Sequence, residues 1–302
     1  MKFTYVAIVA LLMFSFLSFA STPITGCTQI NSSGDYVLAN DVLGAGIPST
    51  SAGGNACIRI ASSDVSLDCQ GHTLTGESAG STHGILIESP TNAPLSNINI
   101  NNCTITNYGT GIFAPTQTSS SSFTNLNISN NVGYGFYVWA LSGSVVANST
   151  SSRNGESDFY FALTSNNNQI LNNTATFSGH HGFAILGNGN TISGSVSHDN
   201  QGTGIFIIAP SSGNVMTTNI AYKNSGPGLG FELNGENQNT NVLNVDYGNR
   251  DPNAGGPSGT GSSPIPSIPG VSGSSKGSGF CCLPGFLVGI IAISGFLVNK
   301  KH

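Results

Sequence analysis

Gly135-Phe136-Tyr137-Val138, Asp158-Phe159-Tyr160-Phe161, Gly182-Phe183-Ala184-Ile185 and Gly204-Ile205-Phe206-Ile207 are four copies of one phrase. A turn-forming residue is followed by an apolar, a variable and an apolar residue. Outward from this stretch the phrase recurs upstream at Gly84-Ile85-Leu86-Ile87 and Gly111-Ile112-Phe113-Ala114, and downstream at Gly230-Phe231-Glu232-Leu233. Successive copies lie 27, 24, 23, 24, 22 and 26 residues apart. A unit of this size, built from short alternating runs, has no room for a helix. It predicts a coil of three short strands stacked on the next coil at roughly 4.8 Å. Parallel crossovers are right-handed, so the expected fold class is all-β, a right-handed parallel β-helix solenoid of about eight coils.

The composition agrees. The 302 residues include 40 Gly and 34 Asn, and only 7% are charged, with a net charge of -5. An ordinary soluble domain is about 25% charged. So little charge argues against helices with solvated faces and against a nucleic-acid partner, which needs a basic footprint. Asn102, Asn125, Asn148 and Asn172 share one position of the repeat, and Gly194 and Thr218 continue the series. We expect a structural Asn ladder there, each amide bonded to the next coil. Sequons occur at Asn31, Asn102, Asn127, Asn148 and Asn172. Three are ladder positions expected to point inward, which leaves Asn31 and Asn127 as the glycosylation candidates.

The ends define the remaining domains. Residues 1–20 carry Lys2, an uncharged run and a small-residue exit at Ser18-Phe19-Ala20, the pattern of a signal peptide. Residues 21–56 are expected to form an N-terminal cap and 57–250 the β-helix. In 251–279, 21 of 29 residues are Gly, Ser or Pro, a flexible tether. Residues 280–298 are uncharged and precede Lys300-Lys301, which suits one transmembrane anchor with a cytoplasmic tail at 299–302. The expected location is the cell surface, anchored in the cytoplasmic membrane with the ectodomain outside.

Three stretches near the start are informative together: Gly34-Asp35-Tyr36-Val37-Leu38, Cys57-Ile58-Arg59-Ile60, and Val65-Ser66-Leu67-Asp68-Cys69-Gln70-Gly71-His72-Thr73-Leu74-Thr75-Gly76. With the coils that follow, residues 27–250 resemble surface β-helix repeat proteins of the pectin-lyase-like superfamily, of archaeal type. Pro284-Gly285-Phe286, an apolar stretch and a basic tail resemble an archaeosortase sorting signal, which implies cleavage and replacement by a lipid. Only 13 residues, Phe286 to Val298, separate the motif from the polar tail. The resemblance speaks to fold. Such repeats serve lyases, hydrolases, epimerases, adhesins and copper-handling proteins alike.

Cys27, Cys57, Cys69 and Cys103 lie in the exported region, where four cysteines allow three pairings. Cys69 falls one coil before Asn102, beside Cys103. A Cys69–Cys103 bridge therefore joins stacked coils and leaves Cys27–Cys57 to pin the cap. The lyases implied by the resemblance need clustered acidic calcium ligands and a base, and the hydrolases need close carboxylates. The acids here are scattered. Arg153, Glu156 and Asp158, with His180, His181, His198 and Asp199 on the next coils, form the densest group and are expected to be solvated turn residues, the His pair diverging. His72 and Asp68 are expected to be structural. Copper handling would need several Met near His, but Met216 stands alone between signal peptide and anchor. No catalytic residue, metal or cofactor is expected.

Alternation places the second and fourth residues after each Gly outward. One outward column reads Leu86, Phe113, Tyr137, Tyr160, Ala184, Phe206 and Glu232, and its neighbour includes Trp139, Leu186 and Ile208. Phe113, Tyr137, Trp139, Tyr160 and Phe206 should then form a ligand-binding aromatic face, unless the loop around Gln117–Ser122 or a second molecule covers it. The expected function is a membrane-tethered cell-surface protein with a non-catalytic adhesion, envelope-structural or glycan-binding role. Its partners would be the membrane and an extracellular glycan or envelope protein. The alternative is a polysaccharide-active enzyme, a lyase or glycoside hydrolase.

Overall fold

Short alternating runs give short strands. The computed structural model describes residues 21–50, 53–208, 210–225, 231–233 and 239–249. The expected signal peptide, linker, anchor and tail lie outside the described residues. Among those described, no helix is long and apolar enough to cross a membrane.

Each coil passes through three long sheets, and a short fourth joins Leu95–Ser96, Thr118–Ser119 and Leu141–Ser142. Val65–Asp68 belongs to the first, Thr73–Thr75 to the second and Thr82–Ile87 to the third, and the next coil repeats this with Ile98–Asn101, Thr104–Thr106 and Thr110–Ala114. Strands pair in parallel with their counterparts one coil on, as Ile100 does with Phe123, Ile105 with Ile128 and Ile112 with Phe136. Among the described residues the three sheets hold ten, nine and ten strands. From Val65–Asp68 to Thr240–Val242 the first sheet takes seven steps, so the solenoid has about seven regular turns, not eight. The turn before these is irregular: Ile47–Pro48 folds back antiparallel on Asn55 and Ala56.

The interior follows the expected alternation. Ile85, Ile112, Phe136, Phe159, Phe183 and Ile205 are wholly buried along the third sheet. Leu67, Ile100, Phe123, Val146, Ile170, Ile192 and Met216 face them from the first. Phe159 and Phe183 stack in adjacent coils with centroids 4.9 Å apart. The second sheet offers Ile105 and Ile128 and then the smaller Ser151, Ala175 and Ser197.

The corners keep part of the expected bonding between coils, Asn102 Nδ2 donating to Asp68 at 3.1 Å, Asn125 Nδ2 to Asn101 at 2.8 Å and Asn172 Nδ2 to Asn148 at 3.5 Å, but correct its inward direction. Asn102, Asn125, Asn148 and Asn172 hold left-handed backbone, φ 54–56°. A corner needs such a residue to turn the chain, and Asn tolerates it best among side chains other than Gly, which takes over at Gly194. The turn throws these side chains outward: Asn125, Asn148 and Asn172 are exposed and Asn102 half-buried. The sequons at Asn148 and Asn172 therefore face solvent. The buried ladder lies one residue later. The Ser149 N–H donates to Asn173 Oδ1 at 3.0 Å, Asn173 N–H to Ser195 Oγ at 3.2 Å and Ser195 N–H to Asn219 Oδ1 at 2.9 Å. A second corner runs through Ser144, Asn168, Asn190 and Asn214, and a third through Asn200 and Asn224. These side chains satisfy corner N–H groups that the sheets leave unpaired.

Disulfides join Cys27 to Cys57 and Cys69 to Cys103, with Cα separations of 4.4 and 4.8 Å.

Candidate functional site

The outer face of the third sheet is built from the variable position of the repeat phrase. Register puts Arg59, Leu86, Phe113, Tyr137, Tyr160, Ala184 and Phe206 in one column across seven strands. The column is not evenly open. Phe113 is only 6% exposed, and Leu86 and Ala184 are wholly buried, which corrects the expectation of a continuous aromatic face. Leu86 and Phe113 pack with Ala56 in a small apolar cluster outside the main core, against Tyr137. Phe113 is closed in by the His83 ring at 5.1 Å together with Tyr137 and Trp139, and the first strands of the face carry a cover over Arg59 and Glu88 from the segment after Ile47. The antiparallel turn brings Ser49 and Thr50 over the sheet, where Ser49 Oγ and Thr50 N–H bond the Glu88 carboxylate at 2.9 and 2.8 Å. Arg59 meets Glu88 at 3.1 Å and donates to Thr50 Oγ1 at 2.8 Å, so this ion pair is buried beneath the segment. His83 donates to the Gly53 carbonyl at 3.1 Å, and burial lowers its pKa. This cover was not legible in the repeat, because the segment is unique and its contacts lie up to 39 residues away.

Beyond the cover the face opens. Trp139 is 46% exposed, and Tyr137 and Tyr160 are half-buried. Phe113 and Tyr137 stack at 5.0 Å, Trp139 meets Phe113 edge-on at 5.6 Å, and Tyr137 meets Tyr160 edge-on at 5.1 Å. Tyr134 completes the group at 4.6 Å from Tyr137 and 5.2 Å from Tyr160. The repeat did not reveal Tyr134, which stands before Gly135 in the turn and not at a strand position. An aromatic residue in a turn beside an aromatic outward column was the available signal. Burial, with the Glu156 charge nearby, pushes the Tyr134 hydroxyl up to about 12. Burial and Tyr137 raise Tyr160 as well. Both stay neutral and able to donate or accept a hydrogen bond. Phe206 lies apart, two coils from Tyr160, and packs on His181 at 4.6 Å.

The ionisable residues do not assemble. Asp158 points into the core, where Asn154 Nδ2 donates to its Oδ1 at 2.6 Å and Ser151 Oγ does so at 3.2 Å. Arg153 lies over the Phe177 ring at 5.0 Å. His198 bonds Asp199 at 2.7 Å and stacks on Tyr222 at 4.6 Å. The rings of His180 and His181 sit 3.9 Å apart, because the segment turns there and does not run extended; they do not diverge as expected. Burial, with His180 next to it, drops His181 to about 4, and its Nδ1 accepts the Thr203 N–H at 3.0 Å. His72 meets Asp41 at 3.2 Å, while Asp68 accepts from the Gln70 N–H and Asn102 Nδ2. Among the described residues no three His, Cys, Asp or Glu side chains group to hold a metal ion.

The profile described as a right handed beta helix region matches residues 49–208 and 160–250. Among solved structures the chain is similar to a pectate lyase, at 16% identity, over 74% of this chain and 70% of that one, with a TM-score of 0.47. It is also similar to a mannuronan C-5 epimerase A-module from Azotobacter vinelandii, at 13% identity over 77% and 86%, with a TM-score of 0.49. A third is the Dettilon tailspike protein, at 11% identity over 74% and 60%, with a TM-score of 0.39. No curated protein matches the sequence.

Proposed function

Because the chain belongs to the right-handed β-helix family, we propose that it is an exported, membrane-tethered surface protein that binds an uncharged glycan on its third sheet, without catalysing its cleavage. The observation that carries this reading is the cluster of half-buried Tyr134, Tyr137 and Tyr160 with exposed Trp139 at the outer face of the third sheet. Ring faces suit the C–H faces of sugars, and the neutral phenols suit their hydroxyls. Charge selects the ligand class. Of the described bases, Arg59 is held by Glu88, Arg153 lies on Phe177, and Lys223 lies 6.0 Å over Tyr222. None serves this cluster, whose neighbouring charge is the Glu156 carboxylate. An acidic polymer would find no partner there. Two disulfides suit an oxidising exterior, and the uncharged 280–298 stretch suits the anchor.

Binding of the full chain to arrayed neutral and acidic glycans tests this. Neutral glycans should be retained and polyuronates not. Trp139→Ala should weaken binding about tenfold, the scale of one exposed aromatic contact, with little change in melting temperature. Preference for polyuronates, or wild-type binding by Trp139→Ala, would overturn it. Release of cut sugars in the same wells would favour the enzyme reading.

A further inference from the structure

The outward turn of the corner Asn residues brings the sequons into one place. Asn148 and Asn172 are exposed at the corner that enters the second sheet, with Thr150 and Thr174 in register as their sequon hydroxyls. Asn172 Nδ2 makes one long contact, 3.5 Å to Asn148 Oδ1. Asn102 occupies the same corner two coils before Asn148, half-buried and bonded to Asp68 at 3.1 Å. In the coil between them the corner sequence is Asn125-Leu126-Asn127, which is no sequon. There the motif re-forms two residues on, as Asn127-Ile128-Ser129, with Asn127 exposed and in register with Thr104 and Thr150. Left-handed corners favour Asn and outward strand positions favour Thr, so a corner sequon alone follows from architecture. A sequon kept in that coil from different positions does not.

We propose that Asn127, Asn148 and Asn172 carry N-linked glycans, forming a sugar-bearing ridge at the entry to the second sheet. The composition supplies the reason. With 7% charged residues this surface lacks the charge that ordinarily keeps a protein soluble, and attached glycans are bulky and solubilising. They also leave the third sheet, with its aromatic cluster, uncoated. Attachment needs a lipid-phosphate-linked glycan as donor. The side-chain nitrogen bonds the anomeric carbon, the bond from that carbon to the phosphate oxygen breaks, the amide loses one proton, and the lipid phosphate leaves with the bonding pair. The inference rests on export, which belongs to the reading above, but not on what the aromatic cluster binds.

The test is to express the full chain in a cell whose secretory route attaches N-linked glycans. The glycans are then removed enzymatically in heavy-oxygen water and the labelled Asp positions mapped. Label is expected at each of positions 127, 148 and 172. Ser129→Ala, Thr150→Ala and Thr174→Ala should each erase one label while keeping the corner Asn and normal secretion. Secreted protein with both disulfides that lacks label at any of the three overturns the ridge alone. A chain retained in the cytosol and unmodified overturns the export reading and the ridge with it.

Discussion

Asp158 stands where neighbouring coils have Gly135 and Gly182, and the difference is local. A Cβ at Gly135 would lie 2.2 Å from Ser151 Oγ and 2.7 Å from Asn154 Nδ2, both of the next coil. In the coil after Asp158 those places hold Ala175 and the shorter Ser178, so a side chain fits. Burial raises the Asp158 carboxyl to about 7 against the partly offsetting bonds from Asn154 and Ser151. The unfolded chain releases this proton near pH 3.8, so Asp158 stabilises the fold fully below that pH and less as pH climbs to about 7. The loss is about 1.4 kcal/mol for each pH unit of that window. Asp158→Asn keeps the acceptor at Oδ1 and never ionises. Its urea midpoint relative to wild type should therefore rise between pH 4.5 and 7.5. His83 and His181, whose lowered pKa values act with opposite sign, cancel in this difference. A gap between variant and wild type that stays flat with pH would show that Asp158 does not titrate in the core.

At the scale of the corner element, adjacent Asn residues have opposite duties. Asn173 accepts from Ser149 N–H and donates a second hydrogen bond to the Val146 carbonyl, already paired in the sheet, at 2.8 Å, so Asn173→Ala orphans the buried Ser149 N–H. The expected cost is roughly 1–3 kcal/mol. In protein made without glycans, Asn172→Gly keeps a left-handed outward position that Gly194 fills one coil later and loses one long exposed contact to Asn148, and should stay within about 0.5 kcal/mol of wild type. Denaturant midpoints of the two variants decide it, and equal losses would refute the division of labour. The same corner marks where the sequence is readable. The period and alternation announce the coil, the three sheets and the inward Phe136, Phe159 and Phe183, because strand side chains alternate whatever their neighbours. Which of Asn172 and Asn173 points inward depends on one positive φ, which a 23-residue period does not encode. Tyr137, Trp139 and Tyr160 were legible on the outer face for the same reason as the core. The burial of Phe113 is not legible in the repeat, since it depends on His83, Tyr137 and Trp139 closing around the ring from the coils on either side.

At the scale of the whole solenoid, each coil touches only its neighbours, so stability is close to a sum of local terms and the ends are weakest. Both disulfides act at one end: Cys27–Cys57 closes a separation of 30 residues and Cys69–Cys103 one of 34. Loop closure of that length contributes about 3–4 kcal/mol each. Cys57 lies in the strand Asn55–Ile60, on which the covering segment folds back and from which Arg59 holds Thr50. Reduction should therefore loosen the first coils and, with them, the segment that covers Arg59 and Glu88. Hydrogen exchange with and without reductant reads this directly. Amides between residues 24 and 106 should lose protection first, while those from 145 to 222, whose corners are held by the Asn and Ser ladders, should exchange nearly as before. Loosened first coils should expose core side chains such as Ile58, Ile60 and Leu67, so the reduced protein should also bind the hydrophobic dye ANS more strongly than the oxidised one. Uniform loss of protection along the solenoid would mean that the coils unfold as a single unit, and that the disulfides stabilise the whole molecule and not its N-terminal end.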